Sequence, residues 1–290
     1  MPEHIRTVSA DAFPPLLREI PQPPKQLYLR GTLPDAHMKC LAVVGSRNYS
    51  NYGKQVAEYL IAGLRGYNIG IISGLALGID AIAHQAAIHA GLYTLAIPGS
   101  GIDDAAIYPR THVGLAHRIL ESGGGLLSEY DPLFKATKWS FPERNRIMAG
   151  MSHATLLIEA SERSGTLITA RLTVDYNREL LVVPGNIFSE NSKGAHQFLK
   201  LGATPITAPE DIISALNIEP HTSKTTSHSQ YTPEEITILE VLREPMDKDT
   251  LIRALGLDTT QVNVTLMHME LKGMLTESNG ILYKIDNNTF

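Results

Sequence analysis

The chain has 290 residues, 43% of them hydrophobic and 19% charged, the balance of an ordinary globular protein with room for one large domain and a small satellite. A formal net charge of −5 excludes a broad basic face that coats nucleic acid, because coating needs many cations near phosphates, so any such site must be local. No apolar run approaches the roughly 18 residues of a membrane span, Met1 to Phe13 lacks the apolar core of a secretory signal, and the single cysteine, Cys40, excludes an internal disulfide or thiolate cluster. A reducing cytoplasm is the expected location, with Cys40 as a small buried side chain.

Residues 1–38 read as a strap. Pro14, Pro15, Pro21, Pro23 and Pro24 bar a long helix from Phe13 to Gly31 and leave a short strand at Gln26 to Leu29. From Leu41 onward, short apolar runs alternate with amphipathic stretches. The runs Leu41 to Val44, Ile69 to Ile72, Tyr93 to Ile97, Leu126 to Ser128, Ala154 to Ile158 and Leu180 to Val183 predict strands buried on both faces. Gly53 to Leu64, Asp80 to His89, Ala116 to Glu121, Thr166 to Arg178 and Ala195 to Leu201 predict the intervening helices. The pattern over 39–218 is α/β, an extended Rossmann-like, doubly wound and mostly parallel sheet, whose ligand site is expected outside the carboxyl ends of its strands.

Residues 219–230 are polar and read as a linker. Residues 231–290 open with the helix start Thr232-Pro233-Glu234-Glu235 and place Ile236, Leu239 and Leu242 on one face. Helices over Lys248 to Leu255 and Thr260 to Lys272, then a hairpin over Leu275 to Ile285 turning at Asn279-Gly280, predict a small winged-helix-like domain. Its third helix carries only Lys272 as a cation, which ranks protein interaction above duplex reading.

Four segments carry candidate chemistry. Gly45-Ser46-Arg47 ends the first strand, where Gly45 permits close approach, Ser46 donates a hydrogen bond and Arg47 can grip a phosphate with two parallel bonds. Ser73-Gly74-Leu75-Ala76-Leu77-Gly78-Ile79-Asp80 brackets a turn with glycines before a helix, and Asp80 and His84 read there as structural groups, a cap and a packed imidazole. Lys138-Trp139-Ser140-Phe141-Pro142-Glu143-Arg144-Asn145-Arg146 interleaves cations with aromatics, the division of labour of single-strand sites. A competing role for Trp139 and Arg144 is internal, packing or pairing against a helix that starts near Arg144. Ser164-Gly165-Thr166 opens a further helix and offers amides to an anion.

Enzyme patterns fail on inspection. Gly53-Lys54 lacks the spacing of a P-loop and is followed by Gln55. Gly99-Ser100-Gly101 meets Asp104 where a dinucleotide site wants glycine or alanine. No histidine pair stands at zinc-peptidase spacing, and no nucleophile elbow occurs. No cofactor or metal is expected. The enzymatic alternative is a nucleotide-binding phosphoribohydrolase on a related sheet, but the positions after Thr166 where it needs a carboxylate are Leu167, Ile168, Thr169 and Ala170.

Taken in order, Gly45-Ser46-Arg47, Ser73 to Asp80, Phe141-Pro142-Glu143-Arg144-Asn145-Arg146-Ile147, Ser164 to Ala170, Val183-Pro184-Gly185-Asn186 and Gly194 to Ala203 closely resemble the DNA-processing protein A (DprA/Smf) family over residues 14–217. The resemblance implies a non-enzymatic protein that binds single-stranded DNA, forms a homodimer, and helps load the RecA recombinase during natural transformation. It implies phosphate contacts at Arg47 and Lys138, a base stacked on Phe141, and a wall at Ser164-Gly165-Thr166. Gly45, Ser46, Gly74, Arg144 and Asn145 complete the implied DNA-binding set. Many family members carry a helical domain ahead of the strap, for which residues 1–38 leave no room.

Overall fold

A computed structural model describes residues 4–218, 232–242, 246–271, 274–278 and 280–284. They fall into two compact units, Met1–Pro220 and His221–Phe290. The predicted linker, Lys272 of the third helix of the winged unit, Asn279 of the hairpin turn and Ile285 lie outside the described residues. No described helix is long and apolar enough to cross a membrane.

The first unit is a nine-stranded sheet flanked by helices. Its strands are β1 (Arg6–Ser9), β2 (Gln26–Gly31), β3 (Lys39–Val44), β4 (Ile69–Ser73), β5 (Tyr93–Ala96), β6 (Gly125–Ser128), β7 (Ala154–Leu157), β8 (Glu179–Val182) and β9 (Thr204–Pro205). Their order is β1-β2-β6-β5-β4-β3-β7-β8-β9. The run from β6 to β9 is parallel, while β2 pairs antiparallel with β6 and with β1. Its helices are α1 (Pro15–Arg18), α2 (Asn51–Ala62), α3 (Ile79–His89), α4 (Val113–Glu121), α5 (Ser140–Met151), α6 (Thr166–Asp175), α7 (Glu190–Lys200) and α8 (Pro209–Ala215).

The two-residue period of a strand divides the core between the sheet's faces. Leu41 and Val43 of β3 join Ile69, Ile71, Leu156 and Leu181 under α2, α3 and α8. Cys40 and Val44 of the same strand join Ile72, Leu157, Leu180 and Val182 under α1, α5, α6 and α7. Burial on both faces explains why these strands read as continuous apolar runs. It also pushes the Cys40 thiol up to about 12, which keeps it protonated and inert.

The strap is more structured than its prolines suggest. It contributes β1 and the one-turn α1 as well as the expected β2, because Leu17 and Ile20 bury against the α5 side of the sheet and Pro14 and Pro15 sit at a helix start, where proline removes no needed N–H. Helix α2 starts two residues before the expected Gly53, since the Ser50 hydroxyl caps it by accepting from the Gly53 N–H at 3.1 Å. Helix α5 begins at Ser140 and not near Arg144. Pro142 falls within its first turn, where backbone N–H groups have no intrahelical partner to lose.

The second unit comprises α9 (Pro233–Val241), β10 (Met246–Asp247), α10 (Lys248–Leu255), α11 (Thr259–Leu271), β11 (Leu275–Ser278) and β12 (Ile281–Lys284). Its small sheet has the order β10-β12-β11. Ile238, Leu242, Leu251, Val262, Leu266 and Met269 form its core, the helix-and-wing arrangement expected from the sequence. Helix α9 is closed by a capping box, in which Thr232 N–H donates to Glu235 Oε2 at 2.9 Å and Thr232 Oγ1 accepts from Glu235 N–H at 3.3 Å. Thr232→Ala is expected to cost this unit about 1 kcal/mol, read as a lower thermal midpoint for its transition with that of the first unit unchanged.

Candidate functional site

Strand order reverses at β3. The chain steps outward through β4, β5 and β6 on one side, then returns to place β7 and β8 on the other. The loops leaving the carboxyl ends of β3 and β7 therefore diverge and leave a crevice, the preferred ligand position in an open α/β sheet. A cavity of about 650 Å³ fills it.

All four sequence-predicted segments line this cavity, through Gly45, Ser46 and Arg47, through Ala76 and Asp80, through Lys138, Phe141, Arg144 and Asn145, and through Ser164, Gly165 and Thr166. Phe141, Arg144 and Asn145 converge because positions i, i+3 and i+4 share one face of α5. The β3 and β7 loops are tied together by Thr166 Oγ1, which donates to the Gly45 carbonyl at 3.0 Å, while Thr166 N–H donates to Ser164 Oγ at 3.2 Å. Ser50, at the end of the β3 loop, also donates to buried Glu159 just after β7 through its N–H at 2.9 Å and its hydroxyl at 2.6 Å.

Gly74 lies outside the cavity lining. It acts from behind the wall, where its carbonyl accepts from Arg144 Nη1 at 2.7 Å and its N–H donates to Asp80 Oδ2 at 3.1 Å. A Cβ added there would lie 2.5 Å from both Arg144 Nη2 and Asp80 Oδ2, so only glycine lets these side chains close on the turn. Arg144 is itself 4% exposed, and its Nε donates to Asn145 Oδ1 at 3.3 Å. It floors the cavity while Nε and Nη1 are engaged by Asn145 and the Gly74 carbonyl.

The Asp80 carboxylate is structural, though not as a cap of its own helix. Glycine occupies the α3 N-cap, and Asp80 accepts from the amides of Gly74 and Ala76. Burial pushes its pKa up, against the opposing pull of Arg144, those amides and Arg47. Burial lowers Arg144 to about 10 and Asp80 raises it in return, so the guanidinium stays charged. His84 is packed as expected, with Nδ1 2.7 Å from Thr94 Oγ1 and burial lowering its pKa to about 3. The same turn holds Leu75 at φ 58, a left-handed conformation costing about 1–3 kcal/mol. Complete burial and His112 Nδ1, 2.8 Å from the Leu75 carbonyl, hold it in place.

Arg47 and Lys138 are exposed. The Arg47 guanidinium carbon lies 5.2 Å from the centre of the Phe141 ring, and Tyr108 packs on the same ring at 5.6 Å between centroids. Tyr108 was not among the residues expected from the sequence, since it sits in an irregular loop distant from every motif. Three cations against one carboxylate, Asp80, line the cavity in a chain of net charge −5. With the amino end of α6 at the wall, the site suits an anion flanked by a flat apolar group.

A Rossmann-like unit with a cationic, aromatic cavity at its switch point, followed by a winged-helix unit, defines the class. Residues 4–217 match the family model of DNA recombination-mediator protein A, and residues 222–280 match the DprA winged helix domain. The chain is 34% identical over 286 residues to protein Smf of Escherichia coli, covering 96% of this chain and 76% of that one. It is 37% identical over 211 residues to the DNA processing protein DprA of Bacillus subtilis, covering 72% and 70%. Among solved structures, DprA of Streptococcus pneumoniae superposes with a TM-score of 0.68 at 36% identity, covering 75% of each chain. DprA of Helicobacter pylori, described for its single-stranded DNA binding mode, superposes at 0.64 with 29% identity over 75% of this chain and 98% of that one. The chain belongs to the DprA/Smf family of DNA-processing proteins.

Removing Arg144 leaves Asp80 buried without its cation. Arg144→Met is expected to cost about 3–5 kcal/mol near neutral pH. The loss should shrink on acidification: the folded-state pKa of Asp80 is raised above the unfolded value, so the native state takes up the proton first and gains as pH falls through that pKa. Urea unfolding of the variant across this range, against wild type, measures both effects.

Proposed function

We propose that this protein binds single-stranded DNA in the cavity between the β3 and β7 loops, with phosphates on Arg47 and Lys138 and a base against Phe141. The observation that carries this reading is the placement of the two exposed cations beside an aromatic ring in the one crevice where the sheet reverses. Gly45, Ser46, Asn145 and the Ser164-Gly165-Thr166 turn supply close backbone and polar contacts, while Gly74 and Arg144 hold the wall. Binding without chemistry fits the lining, where the sole carboxylate among the described residues is buried and already accepts two amides. Leu167 and Ile168, at the positions a phosphoribohydrolase would give to a carboxylate, are apolar.

The same reading extends to a cytoplasmic protein that protects incoming DNA and helps load the RecA recombinase during natural transformation and recombination. Family membership supports this part. For the homodimer, the supporting feature is a hollow of about 340 Å³ lined by Val174 and Leu201 among others, two apolar side chains that are 55% and 81% exposed. On the winged-helix unit, Val264 and Met267 stand out from α11 at 56% and 65% exposure, which favours a protein partner over a phosphate backbone.

Arg47→Ala and Lys138→Ala are each expected to weaken oligothymidylate binding about tenfold, equally across sequences, and to lower the salt slope by about one. Fluorescence anisotropy titrations at several salt concentrations check this, and unchanged affinity in both variants would remove the cavity from the reading. Leu201→Asp should convert dimer to monomer in sedimentation. Wild type, and neither cation variant, should speed RecA assembly on single strands.

A further inference from the structure

Lys138 faces the cavity just described, and the next residue, Trp139, lines a second hollow of about 660 Å³. Pro142 and Ile168 line both, so the two hollows meet along one ridge. Trp139 is the chain's single tryptophan and is 52% exposed. It is nevertheless held in place. Tyr130 meets it edge-on at 5.8 Å and 78°, Phe134 at 5.7 Å, and Tyr130 and Phe134 stack on each other at 4.5 Å. The result is a rigid, half-open indole beside the strand site, with little rotamer entropy left to lose on binding.

The charge of the second hollow decides which part of a strand it accepts. Its one cation among the described lining residues is Arg146, which is ion-paired with Glu129. Glu143 adds a further carboxylate at the rim and accepts from the Tyr130 hydroxyl at 3.2 Å. Such a surface repels phosphate and leaves an uncharged aromatic face available. The first hollow has the opposite character, with Arg47 and Lys138 exposed to phosphate. Alternating cation and aromatic along one groove is the pattern that tracks a backbone while stacking successive bases.

We propose that Trp139 is a second base-stacking platform for the same single strand, taking the nucleobase next to the one on Phe141, with the phosphate between them at Lys138. This rests on the reading of the first cavity as the strand site. The carboxylates of the second hollow then act as a fence, holding the backbone on the cationic side of the Pro142 and Ile168 ridge.

The test uses the full chain and a labelled oligothymidylate. Anisotropy reports occupancy, and the emission of Trp139, free of interference from any other indole, reports stacking. Saturation is expected to quench the emission, and a strand of the same length without bases is expected to leave it unquenched. Trp139→Ala should weaken binding about tenfold and Trp139→Phe should retain most of the affinity. Binding that depends on Arg47, with no quenching and wild-type affinity in Trp139→Ala, overturns the second platform and leaves the first site standing. Quenching with unchanged affinity in Trp139→Ala also overturns it. Absence of any anisotropy change takes down the strand-site reading and this inference together.

Discussion

Burying a guanidinium costs several kcal/mol unless its charge and its donors are met, and Arg144 is almost fully buried at the point where three segments must meet. Its charge faces Asp80, and two of its donors go to the Gly74 carbonyl and to Asn145. These partners belong to the turn after β4, to the first turn of α3 and to α5 itself. The position of α5 along the sheet is thereby locked to the β4 turn. Because Phe141 lies one helical turn before Arg144, the same lock fixes the ring at the cavity mouth. The absence of a side chain at Gly74 makes the arrangement possible, since any Cβ there would occupy the space of the two charged groups.

The reversal of strand order at β3 sets where this lock operates. It places two loops with different jobs side by side. The β3 loop contributes an exposed cation, Arg47, and the β7 loop contributes the amino end of α6. The Thr166 hydroxyl joins them through the Gly45 carbonyl, so the crevice cannot widen without breaking a hydrogen bond. Charge follows the same geography. In an acidic chain, favourable contact with a polyanion requires cations to be concentrated where the strand lies and acidic groups to be paired or set aside elsewhere. Glu159 takes donors from Ser50, which removes a carboxylate beside the β7 loop from direct competition with phosphate.

Strands β3 to β8 were legible because burial on both faces writes itself as an apolar run bounded by glycine and serine. The winged unit was legible through local chemistry, above all the box at Thr232 and Glu235. Strand β1 was not, since its pairing with β2 is antiparallel and at the sheet's edge, and the Pro-rich run beyond it dominates the local pattern. The α5 start was displaced by Pro142, whose residence in a first helical turn becomes evident only when Ser140 is seen donating to the Gly99 carbonyl at 2.5 Å. At the site, Arg47, Lys138, Phe141 and the Ser164 turn could be nominated from residue type and position. The division between groups that face the cavity and groups that support it could not, because whether Gly74 and Arg144 point inward or outward depends on long-range packing. Tyr108 carried no signal at all, being brought to Phe141 by a loop without periodicity.

The contact between Arg47 and Phe141 has a magnitude that matters for how the site opens. An exposed cation over an aromatic ring is worth about 0.5–1 kcal/mol, whereas a charge-assisted bond to an ionised acceptor contributes about 1.5–3 kcal/mol, and a guanidinium can make two in parallel. A phosphate arriving at the cavity therefore outbids the ring for Arg47. If the guanidinium turned to a phosphate, as the proposed function requires, the face of Phe141 that it covers would become free for a base adjoining that phosphate. The resting contact thus shields an apolar surface from water until the ligand that displaces it supplies the replacement. Under the proposed reading, cation and ring would act in sequence on neighbouring parts of one nucleotide, with electrostatic capture preceding stacking and bringing the base to the ring.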